Sequence, residues 1–245
     1  MRMNPGTPLA GKTALITGST QGLGLAAARQ FEAAGCRIVV NGLADGKVLG
    51  ADLRHPAEIE AMITAAGPID ILVNNAVVRH TAKIESFSAD AWNESIGVNL
   101  SAAFHTIRLA LPAMKARGWG RIINVSSIYG QRGAANRVGY VTTKTALIGL
   151  TRAVALEVVG TGVTCNAVCP GTTETPVHDA TIQSLMASEG LSRSDAERWF
   201  LTGKQPTGKI ISADDVAAMM VFLCGPASGD INGSILPIDA AWSAG

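Results

Sequence analysis

The stretch TALITGSTQGLGLAAA, residues 13–28, decides the fold of this 245-residue chain. A short apolar run leads into a turn that contains Gly18, Gly22 and Gly24, and helical periodicity follows. Glycines permit a tight turn close to a diphosphate, and the N-terminus of the next helix offers N–H donors. The spacing is Gly-x-x-x-Gly-x-Gly, and such a turn can also serve packing alone. Its position directly after the first strand favours a nucleotide-phosphate loop.

Apolar strands alternate with longer helical segments along the rest of the chain. The predicted strands are RIVVN (37–41), IDILVN (69–74), GRIINVSS (120–127), VTCNAVC (163–169) and SILPID (234–239), and the predicted helices cover residues 25–35, 90–117, 140–159 and 212–225. Strands buried on both faces and separated by helices indicate βαβ units and a parallel sheet. We therefore expect an α/β fold with a single doubly wound Rossmann-type sheet, in one catalytic domain over residues 1–245.

One segment interrupts this alternation. Only GLADG (42–46) separates RIVVN from the next apolar segment, KVLGADL (47–53). Parallel neighbouring strands normally need a crossover of about a dozen residues or more. The helix after the second strand is therefore predicted to be missing, so that the chain crosses in an extended loop or the strand at 47–53 is displaced.

Composition excludes several classes of function. The formal net charge is +1 and the charged residues are dispersed, which gives no basic surface for nucleic acid or membrane. The four cysteines have no CxxC spacing and no histidine cluster, so they predict buried thiols and no metal site. The N-terminal residues lack the apolar core of a signal peptide, and no apolar run is long enough to span a membrane. A cytoplasmic protein is expected.

The two tyrosines of the chain lie close together in the sequence, at Tyr129 and Tyr140. Tyr140 and Lys144 are four residues apart on a predicted helix, so they share one face. A nearby ammonium favours the phenolate of a tyrosine, which makes Tyr140 a candidate general base at neutral pH. A Tyr–Lys pair on a helix is common and usually inert. The presence of Ser127 at the end of the preceding strand argues against a chance occurrence of the pair.

These motifs resemble those of the short-chain dehydrogenase/reductase family over essentially the whole chain. TGSTQGLG (17–24) is similar to the cofactor loop of that family, and NNA (74–76) to its sheet-stabilising motif. PGTTET (170–175) is similar to its nicotinamide-binding turn. The resemblance implies an enzyme that passes a hydride between a secondary alcohol carbon and a nicotinamide, and it implies a homotetramer. The apolar character of residues 145–159 on nearly all sides is consistent with a shared helix.

The resemblance also assigns a catalytic tetrad of Asn99, Ser127, Tyr140 and Lys144. Tyr140 would exchange the hydroxyl proton, Ser127 would orient the substrate oxygen, and Lys144 would bind the nicotinamide ribose and lower the pKa of Tyr140. Asn99 would hold a water that extends the proton relay. The implied cofactor contacts are Gly18, Thr20, Gln21, Gly22, Leu23, Gly24, Leu43, Asp52, Leu53, Asn75, Ala76, Tyr140, Lys144, Pro170, Gly171, Thr173 and Thr175.

The choice of dinucleotide is read at the end of the second strand, where an acidic side chain binds a ribose hydroxyl and a basic one binds a 2′-phosphate. This chain has Asn41-Gly42-Leu43 there, without the expected Asp and with no cation before Lys47. The absence of a cation for the phosphate favours NAD as the cofactor. Two further departures from the family are Val77 after the NNA motif and Ala240-Ala241 in place of Gly-Gly.

The pattern is most similar to the D-3-hydroxybutyrate dehydrogenase-like subfamily, which binds a substrate carboxylate through Gln, His and Lys. The matching positions here hold Arg79, Tyr129 and Arg137. With Ser127 and Tyr140, these residues are the predicted substrate contacts. Guanidinium groups bind carboxylates in a fork, so the pocket is expected to take a small anionic hydroxy acid. If the two arginines are ordinary surface charges, a neutral sugar, polyol or ketone is the alternative substrate.

The long segment at residues 175–210 is expected to form a substrate lid. His178 and Trp199 within it are candidates for substrate contact or for packing, and Trp242 is placed to reach a neighbouring subunit's site. A non-catalytic dinucleotide sensor on the same fold is the remaining alternative, since fold does not fix function. The intact tetrad disfavours it.

Overall fold

The computed structural model describes residues 7–42 and 49–244. Its strands are β1 (Thr13–Ile16), β2 (Arg37–Val40), β3 (Ile71–Asn74), β4 (Gly120–Val125), β5 (Val163–Pro170) and β6 (Ile235–Ile238). Its α-helices are α1 (Gly22–Ala33), α2 (Pro56–Ala66), α3 (Ala89–Ile96), α4 (Ala102–Ala116), α5 (Val138–Glu157), α6 (Pro176–Glu189), α7 (Arg193–Phe200) and α8 (Ala213–Cys224).

The strands form one parallel sheet in the order β2-β1-β3-β4-β5-β6. The chain first runs outward from β1 to β2, then returns past β1 to β3 and continues to the other edge. This reversal at β1 places a crevice at the carboxyl ends of β1 and β3, where doubly wound sheets bind their ligands. The predicted fold class, a doubly wound parallel sheet with helices, is confirmed.

The sheet has a hydrophobic core on each face because alternate side chains of a strand point to opposite sides. Leu15 and Leu72 pack with residues of α2, α4 and α5 on one face. Ile16 and Val73, their neighbours in sequence, pack with α1 and α8 on the other. All of these side chains are buried, so each strand reads as a continuous apolar run in the sequence.

The region after β2 corrects the prediction of a strand at 47–53. Leu49 forms only an isolated parallel bridge with Asn41, and its N–H donates to Val40 O at 3.0 Å. Residues 50–53 belong to no strand, and Lys47 and Val48 lie outside the described residues. The bridge partners are too close in sequence for a full helical crossover, as the interrupted alternation predicts.

Two helical regions also differ from the sequence prediction. The sequence interpretation contains no helix between residues 53 and 69, whereas α2 occupies Pro56–Ala66 with Ile59 and Met62 turned into the core. The predicted helix over 90–117 is divided into α3 and α4 by a π-helical turn at Gly97–Ser101. The segment predicted as a lid contains α6 and α7.

Candidate active site

A cleft of about 590 Å³ lies along the carboxyl ends of the central strands. All but one of the predicted cofactor contacts line it, namely Gly18, Thr20, Gln21, Gly22, Leu23, Gly24, Asp52, Leu53, Asn75, Ala76, Tyr140, Lys144, Pro170, Gly171, Thr173 and Thr175. The exception, Leu43, lies outside the described residues. A single continuous cleft therefore joins the glycine turn to the predicted tetrad.

The conformation of the glycine turn is fixed by the residues around it. Gly18 has a φ of 63°, and a Cβ there would lie 2.9 Å from the Cα of Ala76. Asn75 fixes the turn, because its Nδ2 donates to the carbonyls of Thr17 and Gly18 at 3.0 and 3.1 Å. No side chain caps the N-terminus of α1, so its N–H donors remain available to an anion in the cleft.

The far end of the cleft lies beside Asn41 and Asp52. Asn41 is buried, and its side chain accepts from Gly18 N at 3.3 Å and donates to Leu49 O at 3.0 Å, so the amide is occupied by structural hydrogen bonds. Arg54 binds the carboxylate of Asp52, and these hydrogen bonds lower the pKa of Asp52 to about 2. The carboxylate of Asp52 is therefore ionised where it faces the cleft.

Tyr140 and Lys144 lie on the first turns of α5 and are almost completely buried, with 7% and 2% of their surfaces exposed. The Nζ of Lys144 lies 5.8 Å from the centroid of the Tyr140 ring and donates to Val125 O at 2.6 Å. Ser127 is the second residue after β4, and its Oγ accepts from Tyr129 N at 3.2 Å. The structure thus brings Ser127, Tyr140 and Lys144 together at the inner end of the cleft.

The surroundings of Tyr140 make it more acidic. Burial raises the pKa of the phenol, but the charges of Lys144 and Arg79 and hydrogen bonding to Ser127 and Arg79 outweigh it, so the pKa of Tyr140 lies below its usual value near 10. Burial lowers the pKa of the Lys144 ammonium, against the opposing effect of Tyr140. Both effects favour proton exchange at this site.

Asn99, the fourth predicted member of the tetrad, lies in the π-helical turn and is buried. Its Oδ1 accepts from Val78 N at 2.8 Å, and its Nδ2 donates to Val78 O at 3.0 Å and to Thr143 Oγ1 at 3.3 Å. The amide therefore ties the loop after β3, at the residue before Arg79, to α5. The predicted role of Asn99 in holding a water stays a prediction, and its side chain already makes three hydrogen bonds, two to Val78 and one to Thr143.

The predicted substrate contacts meet beside Tyr140. The guanidinium carbon of Arg79 lies 5.5 Å from the Tyr140 ring centroid, and that of Arg137 lies 5.8 Å from the ring of Tyr129. The ring of Tyr129 makes edge contacts with Tyr140 and Trp242, at centroid distances of 6.4 and 5.4 Å. Trp242 thus packs on the site of its own chain.

The departures from the family pattern have visible consequences. Val77 lines the cleft and is partly exposed there, next to the NNA motif. Ala240 and Ala241 have φ values of 52° and 65°, a left-handed conformation that favours glycine. The two alanines therefore hold a strained turn directly before Trp242, which contacts Tyr129.

The segment predicted as a lid holds a cation near the cleft that sequence reasoning missed. Lys204, in the loop after α7, lies with its Nζ 4.0 Å from the ring centroid of Phe200. The ring of His178, which lines the cleft, lies 5.7 Å from the same ring. No local pattern in the sequence identifies Lys204 as part of the site. Trp199 is 61% exposed and does not line the cleft.

Other kinds of site receive no support from the described part of the chain. Within residues 7–42 and 49–244, no three His, Cys, Asp or Glu side chains are grouped as metal ligands. Over the same residues, no helix is both long and apolar enough to cross a bilayer. The four cysteines are free and buried, as predicted.

Comparison with known proteins identifies the family. A family model described as short chain dehydrogenase matches residues 12–185. The chain belongs to this family. It is 41% identical to a D-beta-hydroxybutyrate dehydrogenase of Cupriavidus necator, over 96% of this chain and 99% of that protein. An enzyme of the same name from Rhizobium meliloti is 40% identical, over 95% and 99% of the two chains.

The solved structures agree with this assignment. A proposed 2-deoxy-D-gluconate 3-dehydrogenase of Agrobacterium tumefaciens with bound NADP is 31% identical and superposes with a TM-score of 0.85, over 99% of this chain and 100% of that one. The predicted short-chain dehydrogenase/reductase activity is therefore confirmed. The chain is an oxidoreductase of a family that uses a nicotinamide dinucleotide.

Proposed function

We propose that this enzyme uses NAD(H) to interconvert a secondary alcohol and a ketone on a small anionic hydroxy acid. The observation that carries the proposal is the surroundings of Tyr140. Its buried phenol lies between the cations of Lys144 and Arg79, at the inner end of a cleft that begins at a glycine turn. A proton-exchanging group next to cationic side chains suits an alcohol that carries an acidic group.

The residues of the cleft fit a dinucleotide. The close approach of Gly18 to Ala76 leaves no room for a side chain at the turn, and the uncapped N-terminus of α1 offers donors to a diphosphate. Lys144 is a buried cation without a carboxylate partner among the described residues, which suits ribose hydroxyls. When bound, the nicotinamide accepts or returns the hydride.

The proton steps fall to the side chains of this chain. In the oxidation direction, Tyr140 accepts the proton of the substrate hydroxyl, and in reduction it donates that proton back. Ser127 holds the substrate oxygen beside the phenol, and Lys144 keeps the pKa of Tyr140 low enough for the phenolate to form. Asn99 positions the backbone of Val78, next to Arg79, through two hydrogen bonds.

NAD is proposed over NADP because the described end of β2 offers no cation for a 2′-phosphate. Asn41 is buried and already bonded, and Gly42 has no side chain. Arg54, the nearest lining cation at that end, is bound to Asp52, whose negative charge repels a phosphate. The test is the ratio of kcat/KM for the two dinucleotides at one substrate concentration, and a preference for NADP would refute this assignment.

A hydroxy acid is proposed as substrate because Arg79 lines the cleft over the ring of Tyr140, and Arg137 lies over Tyr129, whose ring contacts Tyr140. The similarity to two proteins named D-beta-hydroxybutyrate dehydrogenase supports this class. The test follows NADH absorbance with a panel of hydroxy acids, polyols and neutral alcohols, with the Tyr140→Phe variant as the blank. Turnover of polyols but not of acids would favour the neutral alternative. Tight NAD binding without any turnover would favour a sensor.

We also propose a homotetramer in the cytoplasm. Exposed apolar side chains on α4 and at the end of α5 support a shared helical surface, since Phe104, Leu156 and Val159 are 49%, 78% and 69% exposed. Four free thiols are typical of a reducing compartment. Light scattering at micromolar concentration tests the assembly, and a monomer would contradict it.

A further inference from the structure

Three cations without a carboxylate partner lie around the reacting end of the cleft. Arg79 lines the cleft, Arg137 lies over the ring of Tyr129, and Lys204 lies over Phe200, whose ring contacts the lining residue His178. Arg79 follows β3, Arg137 precedes α5, and Lys204 follows α7, so three separate segments deliver them. Among residues 7–42 and 49–244, none of the three takes part in an ion pair within 4.0 Å. Cations brought together from three segments without counter-charges form a site for an anion.

Aromatic rings, rather than carboxylates, support these cations. Arg79 lies over Tyr140 and Arg137 over Tyr129, at 5.5 and 5.8 Å. The Nζ of Lys204 lies 4.0 Å from the centroid of the Phe200 ring on α7. A ring face attracts a cation and restricts its position without neutralising its charge. Each group therefore keeps its positive charge, and one N–H of the Lys204 ammonium already donates to Phe200 O at 2.9 Å.

His178 lines the cleft beside these cations, and its ring contacts Phe200, which lies under Lys204. Burial lowers the pKa of His178, and the charges of Arg79, Lys204 and Arg137 lower it further, against a hydrogen bond with Thr173. Its Nδ1 lies 2.7 Å from Thr173 O, which fits a neutral imidazole that donates from this nitrogen. Burial likewise lowers the pKa of Lys204, and the charge of Arg137 adds to the effect.

The carboxylates in this part of the molecule are engaged elsewhere. Glu94, which lines the cleft, lies 2.7 Å from the Nε2 of His80 and 3.9 Å from Arg54. Asp179 on α6 forms an ion pair with Arg193 at 2.8 Å. Neither compensates the three cations, so the ligand must supply the negative charge.

We propose that the substrate is a hydroxydicarboxylic acid, in which Arg79 binds the carboxylate nearer the reacting carbon and Arg137 with Lys204 binds the second one. The inference rests on the proposed hydroxy-acid function and extends it. A monocarboxylate would leave two of the three cations without a counter-charge, although Arg137 and Lys204 are both half-buried. Two carboxylates satisfy all three through charge-assisted hydrogen bonds.

The experiment compares kcat/KM with NAD for 3-hydroxybutyrate, 3-hydroxyglutarate and malate. Since a second charge-assisted contact typically contributes about ten- to hundredfold, at least one diacid should exceed the monoacid by about tenfold or more. The Lys204→Met variant should lose at least about tenfold more activity on the diacid than on the monoacid. Lys209→Met, an exposed lysine five residues away, is the matched control and should leave both rates unchanged.

The outcomes separate this inference from the proposed function. If kcat/KM for 3-hydroxybutyrate equals or exceeds the values for both diacids, the dicarboxylate inference is overturned and the hydroxy-acid function stands. The same holds if Lys204→Met lowers kcat/KM for the diacid and the monoacid equally. If only neutral alcohols are turned over, both fail. A binding readout removes dependence on turnover: with NADH present, glutarate should raise the melting temperature more than butyrate at equal concentration. Equal shifts would overturn the inference.

Discussion

The two ends of the cleft are built in different ways. The proposed dinucleotide end is formed mainly by the backbone. It consists of a glycine turn in contact with Ala76 and fixed by Asn75, and of the uncapped N-terminus of α1. At the substrate end, side chains from separate segments carry the charges, with Arg79 and Arg137 over aromatic rings. A site formed by the backbone is tied to one kind of ligand. A site formed by side chains can change its substrate through substitutions, while Tyr140 and Lys144 between the two ends are retained.

The largest expected effect lies at the junction of the two ends. Tyr140→Phe retains the buried ring but removes the proton-exchanging hydroxyl, so kcat should fall by about 10²–10⁴-fold. Binding of NADH should be nearly unchanged, because the dinucleotide contacts remain. Kinetics and NADH fluorescence titration measure the two quantities. A loss of less than about tenfold would remove Tyr140 from the mechanism.

A smaller effect should be confined to the substrate end. Arg137→Met removes a cation that lies over Tyr129, so KM for a hydroxy acid should rise by about ten- to hundredfold. The rate on the uncharged amide of that acid should change little. The matched control is Arg29→Met, an exposed arginine on α1 that does not line the cleft, and it should leave KM unchanged. An equal loss on acid and amide would make Arg137 a structural residue and favour a neutral substrate.

The dinucleotide end should respond separately to an added cation. Leu43→Arg supplies a cation after β2, where a 2′-phosphate is read. A surface ion pair contributes up to about 1 kcal/mol, so kcat/KM for NADP should rise about two- to fivefold. Activity with NAD should change less. If the ratio of the two cofactors stays constant, the end of β2 does not select between them.

The smallest effect concerns the working pH. Lys144 and Arg79 both lower the pKa of Tyr140, so removing either cation raises that pKa. Alcohol oxidation needs the phenolate, and its acidic limb should therefore move to higher pH, further for Lys144→Ala than for Arg79→Gln. The pH profile of kcat/KM on a neutral alcohol measures the shift. An Arg79→Gln profile that coincides with the wild type would limit Arg79 to substrate binding.

The difference between the ends also explains what the sequence could predict. The phosphate loop and the Tyr140–Lys144 pair are local patterns, and the structure brings them together as expected. The sequence of helix α2 does contain helix signals, namely a proline at its start and the apolar residues Ile59 and Met62 three residues apart. The apolar segment KVLGADL just before it predicts a strand instead, so the helix is missed. The π-helical turn around Asn99 depends on tertiary hydrogen bonds to Val78 that no local pattern encodes.

The substrate end was only partly predictable for the same reason. Arg79 and Arg137 were found because they replace residues of the resembling subfamily. Lys204 follows α7, and it comes near the cleft because the Phe200 ring beneath it contacts His178. Sequence spacing does not report such long-range electrostatics.

The central claim is that one cleft couples NAD-linked hydride transfer at Tyr140 to the recognition of an anionic hydroxy acid. The most direct measurement is the initial rate of NADH formation by the wild-type enzyme on a hydroxy acid and on its uncharged amide, under identical conditions. A charge-assisted contact predicts that kcat/KM is about ten- to hundredfold higher for the acid. Equal or faster oxidation of the amide would contradict the account.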